Sequence, residues 1–165
     1  LSSAASDVYK RQPQYISTMI KVLQDKEVAG AYALWSFLPN EHHLGLFFYE
    51  TLRDLYLKIQ NLNRPELNVR GMAFAFHTET ARKEGFRTDI LRGEDGSLAL
   101  ALKKYGKLRF VTARKARVLT GYGTISADGS LFSSFKKRAI KGLRSFTALF
   151  YSKNNYEDED SNLIK

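Results

Sequence analysis

From Val28 to Leu38 the chain reads Val-Ala-Gly-Ala-Tyr-Ala-Leu-Trp-Ser-Phe-Leu, a run without a charge. As a strand it is apolar on both alternating faces, so it predicts a central strand that the rest of the chain must cover on two sides. It is well short of the ~20 apolar residues of a spanning helix. Pro39-Asn40-Glu41 ends it. Upstream, Tyr15 to Val22 is rich in β-formers and is separated from the run by Gln24-Asp25-Lys26-Glu27, which predicts a hairpin with a polar turn.

Further along, a short apolar stretch from Leu44 to Phe47 leads into Phe48, Leu52, Leu55, Tyr56 and Ile59 at helical spacing. Glu50, Arg53, Asp54 and Lys58 take the other side. This predicts an amphipathic helix ending at Asn63-Arg64-Pro65. Met72, Phe74 and Phe76 alternate with Ala73 and Ala75, a second central strand with one face small enough for a helix to approach closely. His77 to Gly85 reads as a two-turn helix with Gly85 just past its end and Thr78 as its cap. Phe86–Leu91 and Ser97–Leu102 flank Gly93-Glu94-Asp95-Gly96 and predict a second hairpin. Strands are expected over Leu108–Thr112 and Val118–Ile125. A last amphipathic helix carries Phe132, Phe135, Ala139, Leu143, Phe146 and Phe150 on one stripe.

The sum is an α+β fold, a mostly antiparallel sheet with two amphipathic helices packed on it, as a single domain over residues 13–152. Residues 153–165, with Glu157-Asp158-Glu159-Asp160, are expected to be a disordered acidic tail.

Charge is the feature that points to function. The chain carries +9 overall, and from Ala81 to Ser145 it holds sixteen Lys and Arg against five Asp and Glu. Such an excess suits a polyanion such as nucleic acid, whose phosphates it attracts, or simply a solvated surface. Lys103, Lys104, Lys107, Arg109, Arg114, Lys115 and Arg117 lie in one strand-rich stretch with Tyr105 and Phe110 among them. Lys136, Lys137, Arg138, Lys141 and Arg144 follow on the last helix. Basic groups hold phosphates and aromatic faces stack on unpaired bases, so these cations and Tyr105 form the expected nucleic-acid-binding set.

Catalytic signals are few. Cysteine is absent, which excludes thiol chemistry, disulfides and cysteine-held metals, and fits a reducing, cytoplasmic setting. His43, in Glu41-His42-His43, and His77, at the end of a predicted strand, are the candidate acid/base residues. Adjacent histidines on an extended segment point apart, and no HExxH-like spacing follows, so no metal site is expected. Gly121-Tyr122-Gly123 lacks the Gly-Lys-Ser/Thr of a nucleotide loop.

Two resemblances attach to particular residues. Ser2 to Gln12 resembles the in-frame translation of a transposase-type sequencing adapter, codon for codon. Residues 1–12 are therefore expected to be a foreign, disordered segment, with the biological chain starting near Pro13, at Met19, or in a longer part upstream. The order hairpin, short strand, helix, strand, short helix, hairpin from Tyr15 to Leu102 is similar to the central portion of the GNAT acyltransferase fold. Ala81-Arg82-Lys83-Glu84-Gly85-Phe86 is similar to the helix ending before that family's last hairpin. The resemblance implies an acyltransferase using acetyl-CoA, but the Arg/Gln-x-x-Gly-x-Gly/Ala loop that holds the cofactor's pyrophosphate is absent between Leu44 and Thr51. Non-enzymatic binding of a polyanion, nucleic acid foremost and without a cofactor, is the favoured expectation. A GNAT-like acyltransferase and a structural or virion-type component are the alternatives.

Overall fold

The computed structural model describes residues 10–90 and 93–121. The expected last helix, with Lys136, Lys137, Arg138, Lys141 and Arg144, lies outside the described residues, as do residues 1–9 and the acidic tail.

The run from Val28 is the centre of the molecule, as its two apolar faces require. It forms β2 (Val28–Ala33) and, after a break at Leu34, β3 (Trp35–Phe37). All of β2 is buried. One face, with Ala31 and Ala33, is covered by α1 (Tyr15–Leu23) through Tyr15 and Met19. The other, with Tyr32, packs against Leu98, Ala99 and Leu102 of α4 (Glu94–Leu102) and Ala81 of α3 (Thr78–Glu84).

Both expected hairpins are therefore corrected. Tyr15, Met19, Val22 and Leu23 recur at i, i+4, i+7 and i+8, a helical stripe hidden by the exposed Ile16 and Ile20, which give the segment its strand-like composition. In the second case Gly93, with φ 94°, precedes a helix rather than sitting in a hairpin turn. Glu94 and Asp95 occupy the first turn, where acidic groups complement the helix dipole. Asp95 also accepts a hydrogen bond from the Gly71 N–H at 2.7 Å.

β4 (Phe74–Phe76) forms where the Phe/Ala alternation placed a strand, but at the edge of its sheet and not at the centre; it runs antiparallel to β2, and its Ala75 lets α1 approach. β5 (Lys107–Val111) pairs parallel with β2 on the other side, giving the order β4-β2-β5. β6 (Val118–Thr120) pairs parallel with β3. The two parallel pairings are one continuous association, joined by Val118 N–H donating to the Leu34 carbonyl (3.2 Å) and interrupted by a short 3-10 turn at Arg114–Ala116. The expectation of a mostly antiparallel sheet fails here: the sheets are small and mixed, three strands each. The long, largely helical segment between Phe37 and Lys107 supplies the crossover that parallel pairing needs. The second sheet is completed by β1 (Lys10–Arg11), antiparallel to β6. Lys10 and Arg11 thus form a strand although they belong to the segment expected to be foreign and disordered.

α3 ends at Gly85, with φ 72°, as expected. The residue at its start is His77 rather than Thr78, and no side chain caps it. α2 (Leu44–Asn63) forms where the periodicity placed it and extends further toward the N-terminus. Its orientation is reversed. Leu46, Tyr49, Glu50 and Gln60 are buried, while Phe48, Leu52, Leu55 and Ile59, the stripe expected to pack on the sheet, are exposed. The buried polar groups explain the reversal. Glu50 accepts a hydrogen bond from the Phe37 N–H (2.7 Å), and Asp54 pairs with Arg53 (2.6 Å) and Arg117 (2.7 Å). Arg53 also donates to the Trp35 carbonyl (2.6 Å) and lies over the Trp35 ring. No described helix is long and apolar enough to cross a membrane.

Candidate functional site

The turn between α4 and β5 is shaped by one backbone approach. Lys107 N–H donates to the Glu27 carbonyl at 2.6 Å, and a Cβ on Gly106 would stand 2.5 Å from that same oxygen. Only glycine fits there. The tight turn lines up the side chains on either side of it. Lys103, Lys104, Tyr105, Lys107 and Arg109 line one open groove of about 660 Å³, together with Pro65, Gly106 and Leu108.

Three carboxylates hold the lysines in place. Lys103 Nζ is 3.1 Å from Glu66 Oε2, and Glu66, itself buried, also accepts from Arg64 Nε at 2.7 Å. Burial alone would raise the Glu66 pKa, but the hydrogen bonds from Arg64 and Lys103 outweigh it and hold the carboxyl below its ordinary value. Lys104 Nζ lies 2.7 Å from Glu84, which also accepts the Tyr105 hydroxyl at 2.6 Å. These two donors lower the Glu84 pKa, while the Glu84 carboxylate raises those of Lys104 and Tyr105. Lys107 pairs with Glu27 at 2.7 Å, which keeps its ammonium charged to higher pH. Arg109, two residues along β5, is exposed and makes no ion pair among the described residues.

The lysine heads stay at the rim, because their side chains remain 39% (Lys103), 57% (Lys104) and 73% (Lys107) exposed. Each ammonium has three donors and gives its carboxylate only some of them, so the rest are available to a ligand. The Tyr105 ring, fixed at its hydroxyl by Glu84, is exposed at the same rim. The sequence did not single out Glu27, Glu66 or Glu84. Glu27 and Lys107 lie 80 positions apart, and Glu66 and Lys103 lie 37 apart, so no local spacing could have announced them.

The other expected residues are not in this groove. Arg114 and Lys115 are exposed on the 3-10 turn beyond the far end of β5. Arg117 turns inward and donates to Ser36 Oγ (2.9 Å) and Asp54 Oδ2 (2.7 Å), which makes it part of the packing under α2 instead of a phosphate ligand. Phe110 stacks on Tyr32 in the core, with ring centroids 5.1 Å apart.

His43 is exposed at the start of α2 and His77 is exposed at the start of α3. Neither side chain forms a hydrogen bond or ion pair among the described residues, and His42 is the histidine that reaches an acid, Glu50, at 3.7 Å. Among the described residues no three His, Cys, Asp or Glu side chains gather as a metal site requires. The stretch where an acyl-CoA pyrophosphate loop belongs, Leu44 to Thr51, is the beginning of α2, with Leu44, Phe47 and Phe48 facing solvent. It holds one glycine, Gly45, and no Arg or Gln, so the side-chain pattern of that loop is missing from the element that would carry it. The observed order, helix, two strands, helix, strand and two helices from Tyr15 to Leu102, also differs from the order on which the acyltransferase resemblance was drawn. No family model matches the chain, and no curated protein or solved structure matches it either.

Proposed function

We propose that the chain binds a polyanion, nucleic acid foremost, without catalysis, through the groove at the α4–β5 turn. The observation that carries this reading is the convergence of Lys103, Lys104, Tyr105, Lys107 and Arg109 on one open groove. Their cationic heads at the rim suit phosphates spaced along a backbone. The exposed Tyr105 ring suits an unpaired base, since every base has a face to stack. Paired carboxylates beneath the lysines reduce the local charge, so binding through this groove is moderate and strongly screened by salt.

Fluorescence anisotropy with a labelled single-stranded oligonucleotide, titrated at several salt concentrations, tests the proposal. The expected result is an affinity whose logarithm falls linearly with the logarithm of salt concentration. Replacing Lys104, Lys107 and Arg109 by Ala should weaken binding evenly across sequences and flatten the salt slope by about one unit per lost phosphate contact. Tyr105→Ala should cost about 1–3 kcal/mol on single strands and little on duplex. Salt-independent binding, or none at low salt, would overturn the reading.

A further inference from the structure

We infer that a second copy of this chain pairs with the outward face of α2, helix against helix, to make a two-fold dimer. Leu44, Phe48, Leu52, Leu55, Ile59 and Leu62 follow one another at intervals of three and four along that face, and each is between 43% and 80% exposed. At ~100° per residue all six fall within a stripe about 80° wide. From Phe48 onward it holds two apolar residues in every seven, the narrow seam by which one helix lies along another; a helix packed on the core of its own domain shows a wider band.

The body of the protein holds the other side of α2 and so fixes which side faces out. Glu50 accepts from the Phe37 N–H (2.7 Å), Asp54 is paired with Arg117 (2.7 Å), and Arg53 donates to the Trp35 carbonyl (2.6 Å). Rolling the helix to bury Leu52 and Leu55 would break these bonds and strand their partners in the interior. The apolar stripe is therefore held outward in the single chain.

Its size and composition suit a second copy. With the exposed Phe47 beside it, the stripe offers on the order of 800 Å², matching the ~800 Å² that each partner gives to a standard interface. It is self-complementary, since a two-fold axis sets Leu, Phe and Ile of one copy against the same types in the other, in either direction of the second helix. The other exposed positions of α2 are Gly45, Thr51, Lys58 and Asn63, so one charge per copy stands at the rim and no like-charged row opposes the pairing. That composition does not suit an anionic membrane surface, which a helix meets with a row of Lys and Arg.

Sedimentation equilibrium of the full chain, freed of nucleic acid, tests the inference. Interfaces of this size reach a Kd of about 1 μM or tighter, so at about 100 μM protein the mass should stand near twice the 18.8 kDa of one copy. Leu52→Glu combined with Leu55→Glu should return it to the single-chain mass. Both positions are exposed in the single chain, so the circular dichroism of that variant should match the parent's. Raising the salt concentration should leave the dimer intact, because its contact is apolar, while it weakens the groove's hold on an oligonucleotide. A single-chain mass at the higher concentration overturns the inference, and so does a dimer that survives both substitutions. A double variant that loses its circular dichroism would place the stripe inside the folded chain and overturn it as well. So would a parent that stays monomeric and binds phosphatidylserine vesicles through Leu52 and Leu55, which would give the face to lipid.

Discussion

Arg117 and Lys115, two residues apart, show what a side chain's surroundings add to its type. Both belong to the basic stretch, and nothing in their spacing separates them, yet Arg117 joins Asp54 and Ser36 under α2 while Lys115 is exposed. Arg117→Ala is expected to cost about 2 kcal/mol, less than the ~3–5 kcal/mol of a fully buried pair because Arg117 keeps some solvent contact and Asp54 keeps Arg53. Lys115→Ala should stay within about 0.5 kcal/mol. Urea midpoints of the two variants check the contrast, and equal losses would contradict the placement of Arg117.

Glu66 gives a pH-dependent counterpart. Its folded-state pKa lies below the 4.5 of an unperturbed glutamate, so its contribution to stability is complete above that value and fades as pH falls through the folded value. Glu66→Gln should be less stable than the parent at neutral pH, and the gap should narrow as the solution is acidified. A gap that stays constant in urea titrations from neutral to acidic pH would show that the Arg64 and Lys103 contacts do not favour the carboxylate.

Elements were legible where one periodicity dominated. β2 follows from a run apolar on both faces, β4 from its Phe/Ala alternation, α3 from Gly85 at its end, and α2 from its three-and-four spacing. α1 was hidden because Ile16 and Ile20 give a helix the composition of a strand, and α4 because Gly-Glu-Asp-Gly is the sequence of a hairpin turn as well as of a helix start. The groove itself was half legible. Its cations stand close together between Lys103 and Arg109, whereas the close approach that arranges them depends on Glu27, a residue distant in sequence. Gly106→Ala therefore acts on a whole element: its Cβ meets a backbone oxygen that cannot move aside, so the start of β5 must shift. The expected loss is about 1–3 kcal/mol of stability, of the size of other overpacking defects. The oligonucleotide affinity should fall too, because Tyr105 and Lys107 flank the displaced residue. Retained affinity in a destabilised variant would separate the groove from the turn.

At the scale of the molecule, the class of mixed α and β elements and the doubly covered central strand were readable from Val28 to Leu38, but strand direction was not. Direction depends on which distant segment pairs with the central strand, and side-chain alternation is the same for parallel and antiparallel partners. The partner here is β5, with Val28 opposite Lys107. That pairing has a temporal consequence. During synthesis at about 5–20 residues per second, Lys107 leaves the ribosome roughly 4 to 16 s after Val28, and until then the most apolar run of the chain lacks one of its two neighbouring strands. The pairing of β2 with β5 thus waits on a segment made long after it, and the nascent chain must carry its most apolar strand with one edge open over that interval.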